Sequence, residues 1–447
     1  MFFSFINLWC TKNLVDTQFL LGKILEKRSN EFYYCVDPFS NEVELVFLNT
    51  CWFISSWREE MFATIKKLLR KKKKICLLWC AVQYFQKLGK ENKLNDDENK
   101  LRKETIQNDN IYFLSRKEIN WFKPALLKNR TKKRINYDFE RPENSRAYTN
   151  IDLWYEYIKI AEWCNNQCSF CIIPKIRWKQ SSLPIETIIA ETKNLIKNWV
   201  KEIILIAQDS TRYGIDNYWK PMLLELLEQI DKIKWDFRYR VLYLYPDILT
   251  KKHLEKLTKL KKFIPYFDIP LQHSSPKILK SMWRFYNHEM TLELLNFIKN
   301  NFKEYYIRTN FIIWFPWETE EDFSLLLNFI EQDRFNNIAL FEYHDEILAP
   351  SHKLPNKIEK KIIRERFKKA KELVNKLQNK RKKHEHWTKK GIITDIWQDK
   401  KWNFNLSVRP LLHCPEIDEE DEIKIDNITK SFEGDTINTW NIIEYKI

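Results

Sequence analysis

Three cysteines fall within eight residues: Cys164, Cys168 and Cys171. They lie in the stretch Ala161-Glu162-Trp163-Cys164-Asn165-Asn166-Gln167-Cys168-Ser169-Phe170-Cys171-Ile172-Ile173-Pro174, with spacing C-x3-C-x2-C. Three thiolates this close need a fourth ligand to complete a single tetrahedral metal site. A four-iron cluster suits them better, because it leaves one iron open. An open coordination position is where a catalytic metal site takes a substrate or cofactor. The competing readings are a zinc site and cysteines with no shared task. A zinc knuckle shows two C-x2-C pairs, or one such pair with two histidines, and neither lies nearby.

Three further cysteines, Cys10, Cys51 and Cys80, are distant in sequence. Each follows an apolar run that reads as a strand: Phe2–Leu8, Val43–Leu48 and Ile75–Leu78. Thr17–Lys27 and Arg58–Arg70 have helical spacing, the second with Met61, Ile65, Leu68 and Leu69 on one face. Alternating strands and helices predict an open parallel α/β sheet. The carboxyl ends of its strands share one edge, where such folds bind ligands. Cys10, Cys51 and Cys80 are therefore expected to converge there as a second metal site. Cys35 and Cys76 fall outside that pattern and are expected as small buried hydrophobes. Residues 87–110 are polar and read as an exposed loop with some helix, and Ile111–Leu114 as a strand.

These elements assign 1–125 to an N-terminal domain and 126–150 to a linker. Residues 151–383 alternate apolar strands, at Tyr155–Ala161, Glu202–Ala207, Arg240–Leu244, Pro265–Leu271, Ile307–Ile313 and Ile338–Phe341, with amphipathic helices. The helices are Ile185–Ile196, Pro221–Ile233, Thr250–Leu260, Thr291–Asn300 and Glu320–Ile330. Six such units predict an incomplete (β/α)6 barrel. The three-cysteine loop follows the first strand, so it belongs to the carboxyl end, the face where barrels carry chemistry. Lys360–Lys383 reads as a long basic helix leading to a tail, 384–447. The tail's short runs Ile392–Ile396, Asn403–Arg409, Asp421–Ile425 and Ile437–Tyr445 predict a small all-β, five-stranded barrel. The fold class is α/β.

The chain has 447 residues, 44% hydrophobic, enough for two to four domains with proper cores. No apolar run approaches the roughly 18 residues of a membrane span. The apolar start has no basic leader and runs into Cys10, so a buried first strand fits better than a signal peptide. A cytoplasmic protein is expected. Nine cysteines in a lysine-rich chain without a secretory signal argue for metal rather than disulfides. The net charge of +15 favours a nucleic-acid-rich partner such as a ribosome, although abundant surface lysine gives the same sum. No P-loop and no G-x-G-x-x-G occurs, which removes support for nucleotide hydrolysis and nicotinamide chemistry.

With all six cysteines placed, the chain resembles the methylthiotransferase family of radical S-adenosylmethionine (SAM) enzymes. The matching stretches are Cys10-Thr11-Lys12-Asn13-Leu14-Val15-Asp16, Asn49-Thr50-Cys51, Trp79-Cys80 and the loop from Cys164 to Cys171. The tail is similar to a TRAM domain, with Cys414-Pro415-Glu416-Ile417-Asp418 in the matching place. Three stretches resemble the ribosomal-protein aspartate branch rather than the tRNA adenosine branch, which remains the alternative. They are Ala207-Gln208-Asp209-Ser210-Thr211-Arg212-Tyr213-Gly214, Leu242-Tyr243-Leu244-Tyr245-Pro246-Asp247 and Pro270-Leu271-Gln272-His273. The resemblance implies two [4Fe-4S] clusters and SAM. Cys164, Cys168 and Cys171 would hold the cluster whose open iron binds SAM. Cys10, Cys51 and Cys80 would hold an auxiliary cluster carrying the sulfur that is added. Phe170 would meet the adenine, and Gln272 and Arg308 are candidates for SAM's polar groups. The implied substrate is an aspartate of the twelfth small-subunit ribosomal protein, and the implied electron donor is a flavodoxin or ferredoxin. Glu416, Asp418, Glu419, Glu420 and Asp421 are candidates to grip a basic ribosomal protein.

Glycine is scarce: 5 residues, where about 7% of the chain is usual. Tryptophan is abundant, with 18 residues. Trp9, Trp79, Trp163, Trp178, Trp283, Trp314 and Trp317 stand where members of that family carry glycine. Glycine serves where the backbone takes φ > 0 or passes close to a ligand, and an indole fits neither need. A gene whose UGA codons are read as glycine would produce this pattern.

Overall fold

A computed structural model describes residues 1–8, 11–28, 32–50, 55–78, 96–114, 146–147, 154–176, 179–355, 357, 359–384, 388–398, 403–431, 439 and 441–446. The chain divides into two compact units. The first is Met1–Thr149 with Trp163–Lys179 and His344–His352. The second is Asn150–Glu162, Gln180–Tyr343 and Lys353–Ile447.

The first unit is built on a parallel sheet in the order β2-β1-β3-β4-β5, from β1 (Phe2–Asn7), β2 (Tyr33–Tyr34), β3 (Val43–Asn49), β4 (Lys74–Leu78) and β5 (Ile111–Leu114). β3 and β4 are almost wholly buried, as the unbroken apolar runs of a parallel sheet require. Helices Thr11–Arg28, Ser55–Arg70 and Asp96–Gln107 connect the strands. Phe5 stacks on Phe47 with ring centroids 4.9 Å apart, and Phe3 meets Phe47 edge-on. Leu20, Ile24, Met61, Ile65 and Leu68 pack from the helices into the same core. The first helix starts at Thr11, well before the expected Thr17, because Lys12, Asn13 and Asp16 are polar residues that nonetheless become buried. Cys76 is buried as expected. Cys35 is only half-buried, since it follows the edge strand β2, and its thiol donates to the Asp37 carbonyl at 3.6 Å.

In the second unit six parallel strands run in the order β13-β12-β11-β10-β9-β6. They are β6 (Tyr155–Lys159), β9 (Glu202–Ile206), β10 (Arg238–Val241), β11 (Phe263–Asp268), β12 (Tyr306–Ile313) and β13 (Asn337–Glu342). A two-residue ladder of β7 (Ala161–Glu162) with β8 (Ser181–Ser182) pinches the root of the cysteine loop. Each expected barrel strand and helix is present with boundaries shifted by a few residues. A short helix Pro276–Ser281 was not anticipated, although its Ser275 cap and Pro276 at the first turn are the sequence signal for one. The tail forms an antiparallel sheet in the order β16-β15-β14-β18-β17 around Ile393, Leu406, Val408, Ile423, Ile443 and Tyr445. Its strands are β14 (Thr388–Gln398), β15 (Phe404–Pro410), β16 (Asp421–Lys424), β17 (Ile428–Ser431) and β18 (Ile442–Lys446). β17 was missed because Ile-Thr-Lys-Ser is too short and polar to show a period. No described helix is long and apolar enough to cross a membrane.

Seven of the ten described tryptophans have positive φ: Trp154, Trp163, Trp199, Trp219, Trp283, Trp314 and Trp317, between 54° and 75°. Four of these were expected from the sequence. Trp9, Trp79 and Trp178 lie outside the described residues. Trp199 and Trp283 show why the backbone turns. Helix Ile185–Lys197 ends with Trp199 donating to the Ile196 carbonyl at 3.1 Å and Val200 to the Leu195 carbonyl at 3.2 Å. Helix Pro276–Ser281 ends the same way, Trp283 to Lys280 at 3.1 Å and Arg284 to Leu279 at 2.9 Å. Both are helix stops whose turning residue is usually glycine. A side chain in that region costs about 1–2 kcal/mol. Seven together cost on the order of 10 kcal/mol, as much as a domain's whole net stability.

Candidate active site

The loop 163–179 carries the three clustered cysteines. Cys168 is buried, and Cys164 and Cys171 are half-buried. None of the three is in a disulfide. Trp163, at φ 62°, turns the chain into the loop. The Asn166 backbone N–H donates to the Cys164 sulfur at 3.4 Å, and Cys171 N–H to the Cys168 carbonyl at 3.0 Å. The loop is anchored inside the first unit: Ile172 joins its hydrophobic core with Ala349, and Ser351 N–H donates to the Ser169 carbonyl at 2.8 Å. Phe170 stands half-buried between Cys168 and Cys171. Among the described residues no three Cys, His, Asp or Glu side chains gather about one point, as a single tetrahedral ion requires. A four-iron cluster asks each thiolate only to reach its own iron, and three cysteines outside any disulfide, with an N–H directed at one of them, fit that demand.

Cys10, Cys51 and Cys80 lie outside the described residues. The strands before them do not. β1, β3 and β4 are adjacent and parallel, and end three, two and two residues before those cysteines. At this edge Asn49 Nδ2 donates to the Asn13 carbonyl at 2.8 Å and to Thr17 Oγ1 at 2.9 Å, while the Thr17 hydroxyl donates to Asn7 Oδ1 at 2.6 Å. Around this network are buried polar atoms with no hydrogen-bond partner: Thr11 Oγ1, Asn13 Oδ1 and Nδ2, and Asn49 Oδ1. Buried polar groups are nearly always satisfied, so four orphans at one edge fit a site built around a further group.

In the barrel, Arg308 on β12 pairs with Asp268 on β11 at 2.8 Å. Burial opposes the guanidinium's charge, but Asp268 outweighs it and raises the Arg308 pKa. Gln272 sits at φ 66°, with its N–H on the Asn310 carbonyl at 2.8 Å and its carbonyl taking the Ile312 N–H at 2.7 Å. Its side-chain Oε1 accepts from Asn310 Nδ2 at 3.1 Å. Both candidates therefore have protein partners already. His273, next in sequence, takes the Ser275 N–H on Nδ1 at 2.9 Å, which assigns its proton to Nε2, 3.5 Å from Glu318. Glu318 also accepts the Trp314 N–H at 2.7 Å and pairs with Arg366 at 2.7 Å. This buried His273–Glu318–Arg366 chain was not anticipated. Its signal lay in the Gln272-His273 and Trp314-Phe315-Pro316-Trp317-Glu318 stretches.

The Radical SAM superfamily model matches residues 158–330, and that of the Uncharacterized protein family UPF0004 matches residues 3–97. The ribosomal protein uS12 methylthiotransferase RimO of Carboxydothermus hydrogenoformans is 35% identical over 454 residues, covering all of this chain and 98% of that one. The chain belongs to the RimO family of radical SAM methylthiotransferases. RimO of Pseudothermotoga lettingae is 36% identical over 80% of each chain, and RimO of Clostridioides difficile 36% identical over 80% of this chain and 78% of that one.

In this RimO-family chain the tail's Cys414–Asp418 turn is bound to the strands of the barrel. Arg240 on β10 pairs with Glu202 on β9 at 2.7 Å and donates to the Leu412 carbonyl at 2.9 Å. Arg409 of the tail reaches the same Glu202 at 3.0 Å. Burial pushes the Glu202 carboxyl up, but Arg240 and Arg409 outweigh it and hold its pKa below the ordinary range. Burial pushes the Cys414 thiol up, so it is no thiolate. Glu416 accepts from Tyr155 at 2.7 Å and Tyr157 at 3.1 Å. Asp418 accepts from Asn337 at 2.6 Å and from the Cys414 N–H at 2.8 Å. The tail acids were expected to grip a basic partner. Asp418 is instead buried, Glu416 is exposed but held by the two tyrosines, and Asp421 takes the Tyr445 hydroxyl at 2.7 Å.

Proposed function

We propose that this chain adds a methylthio group to the β-carbon of an aspartate in small-subunit ribosomal protein uS12. The observation that carries this reading is the 35% identity to a uS12 methylthiotransferase along the full length of both chains. The aspartate β-C–H is unactivated and too weakly acidic for a side-chain base. An iron–sulfur cluster with SAM supplies the radical that such a bond requires, and low-potential clusters reach the potentials, to about −700 mV, that drive it.

The protein's own residues hold and orient. Cys164, Cys168 and Cys171 hold one [4Fe-4S] cluster and leave an iron open for SAM. Cys10, Cys51 and Cys80, which follow β1, β3 and β4 in the chain, would hold the auxiliary cluster. Phe170 offers its ring to the adenine. Gln272, its Oε1 taken by Asn310, has its amide nitrogen left to donate to SAM. Arg308, neutralised by Asp268, contributes its remaining N–H groups without adding net charge. A flavodoxin or ferredoxin supplies the electron. Nucleic acid is met as part of the ribosome, in the cytoplasm. Anaerobic incubation with uS12 and, separately, with tRNA tests the assignment. The methylthio mass should appear on uS12. Its appearance on tRNA adenosine alone would replace this reading with the tRNA one.

A further inference from the structure

We propose that the seven tryptophans in the left-handed region are glycines in the protein as its own ribosomes make it, the codon UGA at these positions being read as glycine. Trp199 and Trp283 close helix stops of the kind glycine favours. The indoles of Trp199 and Trp219 are 77% and 91% exposed, so there they bury little. Trp314 is the opposite case, 2% exposed with a buried Nε1 that has no partner. A side chain kept for its own sake would be used in one setting or the other. Trp57, in a helix, and Trp397, in a strand, have no such φ, so the bias belongs to the positions and not to tryptophan. Three of the seven adjoin residues of the candidate site in sequence. Trp163 precedes Cys164, and Trp314 and Trp317, at 74° and 75°, bracket the turn that leads into Glu318. As glycines they act as positioning residues through the backbone.

Tandem mass spectrometry of the protein purified from its native cells reads the residue at each position. Glycine is expected at 163, 199, 283 and 314; tryptophan at 199 and 283 overturns the proposal. A synthetic gene encoding the seven glycines, compared with one encoding the tryptophans, gives a second readout. The glycine chain should melt higher and retain more iron after anaerobic reconstitution. A tryptophan chain that melts as high removes the conformational argument.

A different observation carries a second inference, which rests on the reading that Cys10, Cys51 and Cys80 hold a cluster. We infer that the Asn13 side-chain amide donates a hydrogen bond to a sulfur of that cluster. Asn13 is 1% exposed, and neither its Nδ2 nor its Oδ1 has a partner. It lies in the first turn of helix Thr11–Arg28, three residues after Cys10, with its carbonyl fixed by Asn49 at 2.8 Å. Hydrogen bonds to cluster sulfurs help set the reduction potential. In Asn13→Leu, and in the near-isosteric Asn13→Asp, a redox titration of the holoenzyme followed by electron paramagnetic resonance should show one cluster shifted to lower potential and the other unmoved. Unchanged midpoints in an Asn13→Asp protein with its full iron content overturn the inference. Retention of both clusters in Cys10→Ala would instead defeat the two-cluster reading beneath it.

Discussion

Cys164 and Cys10 should behave as members of separate metal sites. Cys164→Ala and Cys10→Ala are each expected to lose about half of the iron and sulfide, measured anaerobically, and the double variant nearly all. At the barrel, Arg240 is fully buried and Glu202 nearly so. Replacing Arg240 by Met leaves Glu202 with Arg409 alone, and breaking a buried pair from one side costs about 3–5 kcal/mol. Thermal unfolding at neutral pH should show that loss. The sign with pH follows from Glu202, whose pKa is lowered on folding. Its contribution is present above its unfolded value near 4.5 and disappears as pH falls through the lower folded value. The gap between wild type and Arg240→Met should therefore narrow in acid.

Among the elements, helix Glu320–Glu331 begins with a box in which Thr319 and Asp322 cap one another. Asp322 also accepts from Ser275 at 2.6 Å and from Lys277 at 2.9 Å, tying this helix to Pro276–Ser281. Burial raises its pKa, but the bonds from Ser275, Thr319 and Lys277 prevail and bring it down to about 2. Asp322→Asn should cost about 1 kcal/mol, the worth of such a cap, at pH above 4. The cost should fade as pH drops toward 2, followed by denaturant unfolding across that range. The Cys414–Asp418 turn is held by Tyr157 among others. Tyr157→Phe removes one hydrogen bond, worth about 1 kcal/mol, and should speed amide exchange at 411–418 more than at β14 or β15.

For the whole molecule, the charge of +15 bears on how the enzyme meets its substrate. Contact with as few as two ribosomal phosphates gives a log–log salt slope near −1.5 to −2. Affinity for intact small subunits should then fall by roughly tenfold between about 50 and 200 mM salt. Binding that ignores salt would show that the charge is spread over a solvated surface and takes no part in docking.

The sequence by itself offered the candidate metal ligands and determined most of the elements, because both are local. C-x3-C-x2-C is a spacing within one loop, and the strands β3, β4, β9 and β12 are apolar runs with turns on either side. The resemblance to a family also flagged Trp163, Trp283, Trp314 and Trp317, since they stand where its members carry glycine. What only the tertiary structure decided was partnership across the chain. Glu416 looked like unattached surface charge, yet Tyr155, 261 residues away, holds its carboxylate. For the SAM candidates Gln272 and Arg308, the tertiary structure decided which donors remain, because Asn310 holds the Gln272 amide oxygen and Asp268 pairs with the Arg308 guanidinium. Trp154, Trp199 and Trp219 gave no warning, because φ at a helix stop or a strand entry is imposed by the neighbours that fold around it.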